Sequence, residues 1–128
     1  MTTALEGVKV LVVEDEYLVA TLMEDMLESA GCVVAGPIPR LAQALDAASS
    51  EACDVAVLDV NLAGERVYPV AEILAGRSVP FVFVTGYGAN SLPVEYAERP
   101  RICKPFRMAE LLAAISDVLK PKVVSATP

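Results

Sequence analysis

Apolar residues along this chain follow two alternating rhythms. Short, largely unbroken apolar runs occur at residues 8–13 (VKVLVV), 32–38 (CVVAGPI), 55–58 (VAVL) and 81–84 (FVFV), with a weaker one at 100–103 (PRIC). Runs of this kind suit strands buried on both faces of a parallel sheet. Between them, apolar residues recur every three or four positions. Residues 17–30 carry Leu18, Val19, Leu22, Met23, Met26, Leu27 and Ala30; residues 40–49 carry Leu41, Ala44, Leu45 and Ala48. Leu111, Leu112, Ile115, Val118 and Leu119 mark a helix over 108–119, and a shorter one is predicted from about 68 to 75. Each such segment reads as a helix with one buried face.

The punctuation agrees with this division. Asp15 is placed to cap the first helix, with Glu16 favourable in its first turn. Gly31 and Gly76 are the expected stops of the first and third helices. Pro69 fits a helix only in its first turn. Gly36 and Pro37 weaken the second strand and suit an edge. Residues 61–67 read as a loop carrying Gly64, and Thr85-Gly86-Tyr87-Gly88 as a glycine-rich turn. Residues 89–99 (ANSLPVEYAER) have a thin pattern interrupted by Pro93, which predicts a short or poorly ordered helix. Residues 1–7 are expected to fray, and the tail containing Pro121 and Pro128 to be loose. Strand and helix thus alternate five times. The implied class is α/β, with a doubly wound five-stranded parallel sheet, flanking helices and right-handed crossovers. The chain is expected to form one domain over 1–128, with its core at about 8–120.

Composition narrows the chemistry. The 128 residues are 55% hydrophobic but only 5% aromatic, so the core must be aliphatic. A net charge of −7 argues against direct contact with nucleic acid or an anionic membrane. With no histidine, a phosphohistidine, a Ser-His-Asp triad and a His-ligated zinc are all excluded. Cys32, Cys53 and Cys103 are far apart and odd in number, which suggests reduced cytosolic thiols. No run is long enough to span a membrane as a helix, and no signal peptide is evident, so a cytoplasmic location is expected.

The strand ends carry the functional signal. The first strand runs into Glu14-Asp15, the third ends at Asp59, the fourth at Thr85 and the fifth at Lys104. In a parallel sheet these ends share one edge, where open α/β sheets bind ligands. Two carboxylates about 4 Å apart repel by roughly 4 kcal/mol at an effective dielectric of about 20. Three gathered together require a cation. Oxygen ligands without His or Cys favour Mg²⁺, or Mn²⁺, over zinc. Asp59 would then attack a phosphoryl donor, while the metal and Lys104 neutralise charge on the transferred group. Taken singly, each residue has a plainer role: Asp59 as a strand end, Glu14 and Asp15 as solvated helix-start acids, Thr85 as a turn residue and Lys104 as a surface lysine.

VVEDE at 12–16, VLDVNL at 57–62, VTGYG at 84–88 and KPF at 104–106 together resemble the bacterial response-regulator receiver domain over nearly the whole chain. The resemblance implies a flavodoxin-like or CheY-like (βα)5 fold with strand order 2-1-3-4-5. It assigns Glu14 and Asp15 to the Mg²⁺-binding acidic pair and Asp59 to the phosphoacceptor. Asn61 takes the position whose main-chain carbonyl binds the metal. Thr85 matches the switch hydroxyl, and Lys104 the lysine that pairs with the phosphoryl group. Arg101 departs from the pattern, because the family commonly has an aromatic switch residue there. PFVFVTGYG at 80–88 and NLAGERVYPVA at 61–71 resemble the alphaproteobacterial single-domain subgroup with a Phe-Ala-Thr-Gly-Tyr signature, with Val84 standing at its Ala. In that reading Tyr87 takes over part of the missing aromatic's role and screens the acceptor from water.

The implied function is a stand-alone phosphoacceptor of two-component signalling, modifying only itself rather than turning over a substrate. Its expected donor is a sensor histidine kinase, of the HWE type in that subgroup, or a phosphotransfer protein. Its output is binding to an unidentified downstream protein, with the chain itself a monomer or weak dimer. Two alternatives stand beside it: a phosphate sink, and a phosphorylation-independent docking module. An Asp-nucleophile phosphatase of the haloacid-dehalogenase type fits less well, because it wants a second Asp where Asn61 stands. A dinucleotide-binding domain lacks its GxGxxG after the first strand.

Overall fold

The computed structural model describes residues 5–86 and 92–120. In order these form β1 (Lys9–Val13), α1 (Tyr17–Ser29), β2 (Val33–Ile38), α2 (Leu41–Ser50), β3 (Val55–Asp59) and the short strands β4 (Asn61–Leu62) and β5 (Glu65–Arg66). Next come α3 (Tyr68–Gly76), β6 (Phe81–Thr85), a 3-10 turn (Val94–Tyr96), β7 (Arg101–Cys103) and α4 (Met108–Leu119). Five strands pair in parallel in the order β2-β1-β3-β6-β7. Counting those five alone, the order is 2-1-3-4-5, as expected for the doubly wound CheY-like class. The winding reverses between β1 and β3, which opens a crevice at their carboxyl ends.

Strand pleating explains why the apolar runs are unbroken. Successive side chains point to opposite faces. Leu11, Val13, Ala56, Leu58, Phe81 and Phe83 pack with α2 and α3. Val10, Val12, Val55, Val57 and Val84 pack with α1 and α4, against Met23, Leu27, Leu111 and Ile115. Every residue of β3 and β6 is buried. Full burial of each Leu or Phe contributes about 1.5–3 kcal/mol. As the sequence suggests, β2 is an edge strand: it is largely part-exposed, and its register with β1 slips between Leu11 and Val13.

Several local expectations need correction. Residues 5–7 do not fray, because Leu5 is buried and the Gly7 N–H donates to the Gly31 carbonyl at 2.8 Å. Asp15 does not cap α1. Glu16 holds the N-cap position without a side-chain cap bond, and the Asp15 carboxylate accepts the Ala63 N–H instead. Gly31 does end α1: at φ +89° it lets Gly31 and Cys32 donate to the carbonyls of Glu28 and Leu27. Gly76 is the last residue of α3, but it does not supply the left-handed stop. Ser78 takes the left-handed position at φ +60°, and the same pair of closing bonds runs from Ser78 and Val79 to Ala75 and Leu74. Residues 61–66 form a hairpin rather than a loop, turning at Ala63 and Gly64, both with positive φ. In the described part of 89–99, the short helix expected there is a single 3-10 turn at Val94–Tyr96. Residues 1–4, Tyr87, residues 88–91 and the tail from 121 lie outside the described residues.

Candidate functional site

Parallel register builds the site. Val13 pairs with Leu58, so the residues that follow them, Glu14 and Asp59, emerge side by side. Asp59 pairs in turn with Val84, one residue before Thr85, and Thr85 pairs with Cys103, one residue before Lys104. Four of the anticipated residues therefore converge. Carboxylate oxygens of Glu14, Asp15 and Asp59 lie within 4.8 Å of one another. The Lys104 ammonium reaches Glu14 Oε2 at 3.1 Å and Asp59 Oδ2 at 3.4 Å. Glu14 is 1% exposed and Asp59 5%, so these charges sit largely out of water.

The electrostatic consequences follow from that crowding. Burial first, then the charge of Glu14 and hydrogen bonding with it, push the Asp59 carboxyl up to about 8, against the opposing pull of Lys104. Burial works against the charge on Lys104. The hydrogen bond to Glu16 and the charges of Asp59 and Glu14 outweigh it, and the ammonium's pKa is raised.

The donor set fits a small divalent cation. All the ligating atoms available are oxygens, and Glu14 Oε1 is buried with no hydrogen-bond partner. Such an atom carries a desolvation cost that a bound cation would offset. The hairpin helps to fix the group. Ala63 N–H donates to Asp15 Oδ2 at 3.0 Å, Asn61 N–H to Asp59 Oδ1 at 3.2 Å, and Gly64 N–H to Asn61 Oδ1 at 3.0 Å. Asp15, Asp59 and Asn61, with Glu16 and Lys104, border a cleft of about 570 Å³. Its other wall is apolar, formed by Val19, Leu22, Pro105 and Phe106.

Of the other anticipated residues, Thr85 and Arg101 are not among the clustered acids or the carboxylate partners of Lys104. Thr85 is buried, with Oγ1 3.6 Å from Cys103 Sγ, and its carbonyl accepts the Lys104 N–H at 2.8 Å. Arg101 is exposed at the start of β7, in register with Phe83. Tyr87 lies outside the described residues. Two features went unanticipated in the sequence. Glu16 makes the shortest contact to Lys104, 2.6 Å, although the run Glu14-Asp15-Glu16 was the only signal for it. The apolar wall draws on Leu22, which helical periodicity had assigned to the core.

The sequence profile of the response regulator receiver domain family matches residues 10–116. The chain belongs to the response regulator receiver domain family. Receivers of this family are regulatory components of two-component systems and work with histidine kinases and phosphotransfer proteins. This receiver is similar to SdrG from Sphingomonas melonis Fr1, with a TM-score of 0.80 and 40% identity over 89% of this chain and 98% of that one. It also resembles the receiver domain of the sensor histidine kinase PA1611 from Pseudomonas aeruginosa PAO1, at a TM-score of 0.77 and 26% identity, covering 88% of this chain and 98% of that one. That structure holds a magnesium ion coordinated in its active site cleft. Among curated proteins, the phyllosphere-induced regulator PhyR of Methylorubrum extorquens is 32% identical over 87% of this chain, which spans 43% of PhyR's length. No helix among the described residues is long and apolar enough to cross a membrane.

Proposed function

We propose that this receiver accepts a phosphoryl group on Asp59 in a Mg²⁺-dependent reaction and changes its protein contacts as a result. The observation that carries this reading is the gathering of Glu14, Asp15 and Asp59 within 4.8 Å, with Lys104 against two of them. Glu14, Asp15, Asp59 and the Asn61 main-chain carbonyl would hold Mg²⁺, with Mn²⁺ a workable substitute. The ion supplies positive charge that keeps Asp59 ionised and offsets charge on the transferred group. An Asp59 oxygen attacks the phosphorus of a phosphohistidine, the P–N bond breaks, and the imidazole nitrogen leaves with the electron pair. Lys104 pairs with the new phosphoryl oxygens. The modification adds roughly −1.5 to −2 charge. Thr85 would exchange its Cys103 contact for a phosphoryl oxygen, drawing in the end of β6.

The donor in this reading is a cytoplasmic sensor histidine kinase, of the HWE type, or a phosphotransfer protein. The apolar wall of the cleft suits such a donor, since Leu22 within it is 48% exposed and Leu18, on the same helix, is 79% exposed. The output surface is assigned to β7, α4 and the segment at 92–99, with Tyr87 and Arg101 modulating the switch.

The test is Mg²⁺-dependent formation of a beryllofluoride adduct and of a labelled aspartyl phosphate. Asp59→Asn is expected to abolish both while leaving the fold intact. A covalent label surviving that change would place the acceptor elsewhere.

A further inference from the structure

Lys104 has three N–H donors and, in this structure, three carboxylate partners. These are Glu16 Oε1 at 2.6 Å, Glu14 Oε2 at 3.1 Å and Asp59 Oδ2 at 3.4 Å. The residue that would carry the phosphoryl group is thus the most distant of the three. The nearest is Glu16, which is not among the three clustered acids. We propose that Glu16 is a positioning residue: in the resting receiver it holds the Lys104 ammonium in competition with the phosphoryl group on Asp59, and so sets how readily that group is accepted and kept. This inference rests on the phosphoacceptor reading of Asp59.

The argument is one of competing duties. A phosphoryl oxygen can pair with Lys104 only by taking one of its donors. Glu14 is buried and has an unpartnered oxygen suited to a cation, and Asp59 becomes the carrier. The 3.4 Å contact to Asp59 passes to the phosphoryl group itself, and Glu16, which alone has no other task in the site, is the partner given up when the ammonium moves in for a closer or second contact. Its geometry allows the exchange. The Glu16 N–H donates to Glu14 Oε2 at 3.1 Å, which pins the backbone at the start of α1. Its side chain is 60% exposed, against 18% for Lys104. The carboxylate can therefore swing into water without moving the helix. A pair with one partner this exposed is weak, so Glu16 biases the equilibrium rather than locking it.

The experiment compares wild type with Glu16→Gln and Glu16→Asp. Glu16→Asp keeps the charge but lacks one methylene of reach. Two quantities are read: beryllofluoride affinity at saturating Mg²⁺, and the nitrogen resonance of the Lys104 ammonium in metal-free protein. Both variants are expected to bind beryllofluoride about 2- to 5-fold more tightly and to shift the metal-free Lys104 signal, the size set by an exposed ion pair. If Glu16→Asp matches wild type while Glu16→Gln alone binds more tightly, the effect is one of charge and the positioning role is overturned. It is overturned equally if both variants match wild type. Absence of any Mg²⁺-dependent adduct in wild type would instead remove the phosphoacceptor reading itself, and this inference with it.

Discussion

At Asp59 two requirements oppose each other. As the proposed phosphoacceptor its carboxylate would have to be ionised, yet burial and the neighbouring Glu14 favour its proton and push it from 3.8 up to about 8. The folded, metal-free protein therefore binds a proton at Asp59 that the unfolded chain releases above its ordinary pKa. The associated stability is fully present below about pH 4 and is lost as pH rises through 8. In chelator-treated protein, the urea midpoint is expected to fall between pH 5 and about 8.5 for this reason. Asp59→Asn should flatten that slope and exceed wild type at the alkaline end by about 1–3 kcal/mol. A slope that persists in the Asn variant would assign the titration to another group.

Among the elements, α1 and α3 finish with the same pair of closing bonds but different residues. Glycine occupies the left-handed position in α1, and Ser78 occupies it in α3 at φ +60°. A side chain there is strained by roughly 1 kcal/mol. Ser78→Gly is expected to raise stability by about 0.5–1 kcal/mol, read from thermal or urea unfolding. The segment after β6 is organised by tertiary contact instead. Among its described residues, Pro93 and a thin apolar pattern leave one 3-10 turn. Tyr96 nevertheless stacks on Tyr68 at 5.5 Å and meets Phe83 edge-on at 5.4 Å, while the Arg99 guanidinium lies 4.6 Å over Phe81. Such ring contacts contribute about 0.5–1.5 kcal/mol beyond burial. They anchor the described end of this segment to α3 and β6, the strand that ends at Thr85.

For the molecule as a whole, one cleft joins an acidic floor to an apolar rim. Single exposed apolar residues are ordinary, but Tyr17, Leu18 and Leu22 are exposed on one helix, and Leu22 shares the cleft with Phe106. In the proposed phosphotransfer, a protein donor would cover that rim to bring its phosphohistidine to Asp59, whereas a small phosphodonor would not. Leu22→Glu is expected to slow phosphotransfer from a donor protein at least 10-fold, a cost of about 1.4 kcal/mol at the interface. Modification by acetyl phosphate should be unchanged. Equal slowing with both donors would place the effect in the active site rather than at a docking face.

The sequence by itself determined the doubly wound class, because only strands covered on both faces tolerate runs such as VAVL and FVFV. It also determined which chemistry reaches the carboxyl edge, since Glu14-Asp15, Asp59, Thr85 and Lys104 each follow an apolar run directly. Three things were decided only in the tertiary structure. Whether Leu22 was core or cleft wall depended on which helices pack beside α1. The hairpin at 61–66 was illegible because its strands are two residues long and its turn is Ala-Gly, so neither alternation nor turn chemistry could announce it. Glu16 looked like one more acid at a helix start. Its contact with Lys104 spans 88 residues of chain, and only the parallel register of β1, β3, β6 and β7 brings those two charges together.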